Sequence, residues 1–180
     1  MYEKTLSRTS EEEYTQLKGQ LVQSKCKIVS EEAPSKISIV QGSLWGTTPK
    51  TAQKTTTFTL QEDASGTRVA SNSTLTFGYV ALTVAGIVFS IVLMVICVWM
   101  AVNFMAYAST GSAGFWGWLV QTEGSFNPDK AALFTRLCWF LTAFLAATLI
   151  VEAIIVIRVK AKIDSFAEEI FKTLAQPKEV

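Results

Sequence analysis

The chain contains no histidine, which removes the commonest general base and the commonest protein ligand of zinc, copper and non-haem iron. Ser-His-Asp and Cys-His catalysis are excluded with it. The three cysteines, Cys26, Cys97 and Cys138, lie far apart and none belongs to a CxxC motif. Glycines 42 and 46 do not make a phosphate loop: no GxxxxGK[ST] is present, and the cation after Gly46 is Lys50, beyond Pro49. A basic patch is missing too, since residues 1–78 carry nine Lys or Arg against eight Asp or Glu, so no nucleic-acid partner is expected. These absences argue against catalytic residues, a bound metal or a cofactor in this chain alone. Enzyme activity would require a complex whose cofactors lie elsewhere.

Apolar sequence is what the chain has in excess, and it is unevenly spread. Residues 79–107 hold no charged residue, and residues 131–157 hold only Arg136 and Glu152. About 20 apolar residues suffice to cross a bilayer as a helix, which satisfies its backbone groups internally. A surface helix of a soluble protein would carry a polar stripe, and neither segment has one. We therefore read transmembrane helices over 75–107 and 131–158. The start, "MYEKTLSRTSEEE", has no apolar stretch resembling a removable signal peptide, so the first span is expected to remain as an anchor.

Arg158, Lys160 and Lys162 follow the second span, whereas the connection from Ala108 to Lys130 offers only Lys130. The positive-inside rule puts the tail in the cytoplasm, and two crossings put the N-terminal region there as well. The sequon at Asn72–Thr74 would then never meet the glycosylation machinery. The expected product is a multi-pass integral protein of the cell membrane with both termini cytoplasmic.

Residues 1–74 read as a small α+β domain. Ser10 followed by Glu13 has the capping-box pattern, and Tyr14, Leu17, Leu21 and Val22 recur at helical spacing, giving one amphipathic helix ending near Lys25. Alternation around Cys26–Val29 and Ile37–Ile39, the β-branched run "KTTTFTL" and the run "RVASNSTLT" predict an antiparallel sheet of three to four strands. In "QGSLWGTTPKTAQKT" two glycines bracket Leu44 and Trp45. The pair either caps the edge of the sheet core or forms a docking loop for the headgroup region or a neighbouring subunit. Cys26 is expected to be a reduced core residue.

After Arg158 the second span is expected to continue as an amphipathic helix over 159–180. Val159, Ile163, Phe166, Ile170 and Leu174 mark its stripe, Glu168 and Lys172 an i,i+4 pair, and Pro177 its end. The stripe needs a cover: the N-terminal domain, the membrane surface or a partner helix. The outer segment 108–130 is aromatic in its middle, and Phe115, Trp116, Trp118 and Phe126 are expected at headgroup level.

Within the spans, Ala81 and Ala85, Gly86 and Ser90, and Ala143 and Ala147 have the small-x-x-x-small spacing that lets helices approach. Cys97 and Cys138 fall at similar depth in a hairpin, as two small apolar residues rather than a redox pair. Arg136 lies near the outer end of the second span, where it can snorkel with Asp129 and Asn103 as neighbours. Glu152 lies six residues before Arg158, about 9 Å along a helix, level with residues 85–90 of the first span. An acid at that depth must be protonated, reached by water, or met by a polar group on another helix.

These features together suggest a non-catalytic accessory or scaffold subunit of a larger membrane complex, with lipids and other membrane subunits, or further copies of itself, as partners. A homo-oligomeric channel or transporter lined by Glu152 and a lipid- or membrane-surface-binding module are the alternatives. The first predicts a flux lost with Glu152→Gln. The second predicts liposome binding by residues 1–74 that is lost with Trp45→Ala.

Overall fold

A computed structural model describes residues 2–64 and 66–174. The chain is mixed α+β and divides into two compact units. One comprises the residues up to Leu82 together with those from Ile155 onward, and the other is Thr83–Ile154. In order the elements are β1 (Tyr2–Leu6), α1 (Ser10–Gln23), β2 (Lys27–Glu32), β3 (Lys36–Gln41), β4 (Lys54–Asp63), β5 (Gly66–Leu75) and α2 (Phe77–Thr110). A 3-10 turn (Gly117–Val120), β6 (Gln121–Thr122), β7 (Ser125–Phe126), α3 (Pro128–Ala161) and α4 (Ser165–Leu174) complete the chain.

In the first unit five strands pair antiparallel in the order β1-β5-β4-β3-β2. Period-two alternation decides which side chains go inward. Along β4, Lys54, Thr56, Phe58 and Leu60 are buried, while Thr55, Thr57 and Thr59 face the other side. In β5 the buried set is Thr67, Val69, Ser71 and Ser73. Two helices cover the inward face: α1 contributes Tyr14, Leu17 and Leu21, and α4 contributes Ala167, Ile170, Phe171 and Leu174. Asn72 lies exposed on the opposite face.

The sheet has one strand more than the sequence suggests. Residues 2–6 pair with β5 from Tyr2↔Ser71 to Leu6↔Thr67, turning Leu6 into the core. Their polar composition conceals this, because an edge strand exposes its alternate residues to water.

The capping box is not formed. Thr9 is the N-cap of α1 and its carbonyl accepts from the Glu13 amide at 3.0 Å, while the Ser10 hydroxyl donates to Glu62 Oε1 at 2.8 Å. Glu13 turns inward beside Arg8 at 3.5 Å instead of reaching back. Burial, the larger influence, raises its carboxyl above the ordinary value against the lowering by Arg8. Val22, expected on the apolar face, is 59% exposed. Cys26 is half-buried just ahead of β2, and burial raises its thiol.

Tyr14 donates to Glu31 Oε1 at 2.5 Å, and Lys18 reaches the same oxygen. Burial, with the Glu31 bond and charge, pushes the Tyr14 phenol up to about 12. The folded value lies above the ordinary 10.0, so the folded state holds its proton longer. Tyr14 therefore contributes stability that is full below pH 10 and lost as pH rises through about 12. In an ultraviolet titration of the phenolates, Tyr14→Phe should remove one late-ionising step.

The expected continuous tail is broken. Helix α3 ends at Ala161, residues 162–164 form a turn, and α4 begins at Ser165. Once the chain turns, Val159 falls in a different buried cluster from α4, and the cover of the α4 stripe is the chain's own sheet. Phe171 sits 6.0 Å from Phe58 and 5.2 Å from Tyr2 between ring centroids. Glu169 pairs with Lys50 at 2.7 Å, and Glu168 makes no ion pair with Lys172 among the described residues. Pro177 lies outside the described residues.

Helices α2 and α3 are each long and apolar enough to cross a membrane. Their ends have physical causes. Thr76 Oγ1 accepts from the Tyr79 amide at the start of α2, and Gly111, at φ +66°, closes its end by donating to the Tyr107 carbonyl. Asn127 Oδ1 accepts from the Lys130 amide at the start of α3, with Pro128 as its first residue.

Candidate functional site

In the second unit, Glu152 is turned toward α2. Its Oε1 lies 3.8 Å from where a β-carbon on Gly86 would stand, and its Oε2 is buried with no hydrogen-bond partner among the described residues. The level reached by Glu152 is therefore that of Gly86, and the missing side chain there leaves room for the carboxylate. Gly86 and Ser90 are half-buried, whereas Ala85, Ala143 and Ala147 are exposed. Ala81, in the first unit, is exposed as well. Small residues thus serve two directions: Gly86 accommodates Glu152, and the alanines face outward.

The end of this unit that carries the connection between α2 and α3 has a core of its own. Cys97, Ala101, Phe104, Tyr107, Val120, Ala131 and Cys138 are buried together, and both thiols are free. The four aromatics expected at headgroup level divide. Phe115 and Trp118 are 68% and 65% exposed, whereas Trp116 and Phe126 pack against that core. Trp116 meets Trp99 at 5.5 Å and Phe115 at 4.9 Å, and Phe126 meets Tyr107 at 4.5 Å. Trp116 Nε1 is buried without an acceptor among the described residues.

Asn103 and Asp129 do not serve Arg136. The Asn103 amide donates to the Trp99 carbonyl at 3.0 Å, and its Oδ1 lies against Gly114, where a β-carbon would come within 2.1 Å. The helix turns Asn103 to its own backbone and to the connection, and Arg136 has no ion-pair partner among the described residues. It stands exposed at the rim of an apolar groove of about 290 Å³ between Phe104, Met105, Ala131 and Ala132.

In the first unit the loop between β3 and β4 is tightly built. The Ser43 amide donates to the Thr51 carbonyl at 2.8 Å, and the Gly46 and Gln53 amides both donate to the Ser43 carbonyl at 3.0 Å. A β-carbon on Gly46 would lie 1.9 Å from the Thr51 carbonyl oxygen, and one on Gly42, at φ +84°, 2.4 Å from that of Ala52. Glycine is required at both places. The loop does not cap the sheet core with Trp45, which is 78% exposed.

A residue that sequence reasoning passed over is Lys54. It opens β4 on the inward face and is 1% exposed. Its ammonium donates to the carbonyls of Pro49 and Ile163, each at 2.8 Å. Burial lowers its affinity for the proton, and the Asp164 carboxylate opposes that. A charged residue at an inward position of an alternating strand was the available signal. Beside it Ala52, Tyr79 and Val159 are buried together, with Leu75 and Ile155 against them. The first turn of α2 and the last turns of α3 are thereby built into one cluster with the domain.

Chemically, the two units offer a carboxylate on an apolar helix, outward-facing alanines, a guanidinium with no ion-pair partner among the described residues over an apolar groove, and a tightly bonded loop with an exposed indole. The chain matches no known protein family, no curated protein and no solved structure.

Proposed function

We propose that this chain is a non-catalytic two-pass membrane protein acting as an accessory or scaffold subunit. The observation that carries the reading is the outward display of Ala143 and Ala147 between exposed Phe140, Phe144, Ile150 and Val151. Small residues flanked by large ones form a shallow track in which another membrane helix packs closely. Of the most apolar stretches of α2 and α3, only 6% and 0% is buried by the chain itself, so nearly the whole surface is left to lipid and partner.

Tyr79 and Val159, at the beginning and end of the hairpin, share one buried cluster, which supports both termini being on the same side. Arg158, Lys160 and Lys162 support the cytoplasmic side. Glu152 Oε2 is the polar group that a donor from a neighbouring subunit would satisfy.

Mild-detergent extraction from the native membrane with native mass spectrometry tests the reading. Recovery with other membrane proteins in fixed stoichiometry, lost on Ala147→Phe while the chain stays folded, is the expected result. Recovery as a pure homo-oligomer would sink it and favour a path lined by Glu152.

A further inference from the structure

Trp45 and Phe77 are 78% and 88% exposed, large aromatic surfaces for which a water-facing role is unfavourable. Neither is on a loose segment. The Gly46 carbonyl, next to Trp45, accepts the Tyr79 hydroxyl at 2.9 Å. A β-carbon on Gly78 would lie 3.2 Å from Leu44 Cδ2, which packs there, and the Thr76 amide and hydroxyl both bond to Gln53. The loop is stitched to the first turn of α2 from both ends, so Trp45 is held at the level where that long apolar helix begins.

We infer that Leu44, Trp45 and Phe77 form a bilayer-contacting edge of the N-terminal domain, with the Trp45 indole in the headgroup layer of the adjacent leaflet. This rests on the reading of α2 as a membrane span. Lipid is the occupant because the patch is continuous with the apolar surface of α2, through exposed Val80, and lies where an apolar helix leaves the membrane. At that depth an indole buries its ring and keeps its N–H in contact with polar headgroups and water. The neighbouring cation Lys50 is engaged by Glu169, so the contact is apolar and does not depend on anionic lipid. Its role is orientation: a span alone can rotate and tilt, and a rigid aromatic edge beside it fixes how the domain meets the surface.

The test uses the full chain in phosphatidylcholine vesicles, with Trp99, Trp116, Trp118 and Trp139 changed to Phe. Flotation reports insertion, and Trp45 emission reports the contact. The expected result is flotation together with quenching by lipids brominated near the headgroup, at least threefold stronger than by deeply brominated lipids or aqueous iodide. Gly46→Val should keep flotation and lose that preference.

A second measurement protects against misfolding of the multiple variant. In the native chain labelled with fluorotryptophan, the resonance that disappears in Trp45→Phe should be broadened by a headgroup-borne nitroxide. Flotation with Trp45 open to iodide, or shielded from both iodide and bromine by protein, overturns the inference alone. Failure to float overturns the span reading and the inference with it.

Discussion

Changing Phe171 to alanine should release α4 from the sheet. The ring is fully buried against Phe58 and Tyr2, and emptying such a site costs about 3–5 kcal/mol, the lost transfer energy plus the cavity. The loss is unusually damaging here because α4 has only ten residues and cannot persist as an isolated helix. Amide exchange over Ser165–Leu174 should accelerate by about a hundredfold to a few thousandfold, since each 1.4 kcal/mol of opening energy is a factor of ten. Exchange in the middle of α2 and α3 should be unchanged. Uniform acceleration throughout the chain would show that the two units do not melt independently.

Lys54→Ala is the second substitution expected to act strongly. It removes two charge-assisted hydrogen bonds and leaves the carbonyls of Pro49 and Ile163 without their donor. Leaving a buried acceptor without its donor costs about 1–3 kcal/mol, and here two carbonyls lose theirs together. Limited proteolysis should then cut within residues 162–164, the turn that the ammonium secures. Lys54→Met should be milder, because it keeps the packed stem and leaves no cavity. A pH signature separates the charge from the packing. The folded value is lowered below 10.5, so in the window between the two values the unfolded chain holds more protons and the Lys54 contribution to stability rises with pH. That rise, opposite in sign to the Tyr14 effect, should be absent in Lys54→Met.

Those two residues also show what could be read from the sequence. Phe58 and Leu60 stand in a run of β-branched threonines, so a strand at β4 was legible locally, while its inward face came from the structure. The long apolar runs were legible for the same reason: their signal is local and needs no knowledge of what packs against them. Phe171 was not legible, because the expected stripe ran through Phe166 on the assumption that the helix passes unbroken from the span. The break at residues 162–164 depends on a lysine more than a hundred residues away, and no local pattern reports a bond of that range. Ser10 failed similarly: its hydroxyl was claimed by Glu62, a tertiary partner that outcompeted the local cap. For the candidate site, the shared level of Glu152 and the Gly86 region followed from helical rise, while the outward orientation of Ala143 and Ala147 needed the structure.

The sheet is closed by α4, which is synthesised well after the strands it covers, and this has a consequence for biosynthesis. When β5 ends at Leu75, the apolar face carrying Ile37, Phe58 and Val69 still lacks α4, whose first residue is Ser165. The 89 intervening residues, 76–164, at roughly 5–20 residues per second, take about 4 to 18 s to synthesise. During that delay the nascent domain holds an unfinished core beside an emerging apolar hairpin. Only after the second long helix has been made can α4 return to the sheet. A ribosome-bound chain halted before Ser165 should therefore present a protease-sensitive domain, and one released after Leu174 a resistant one.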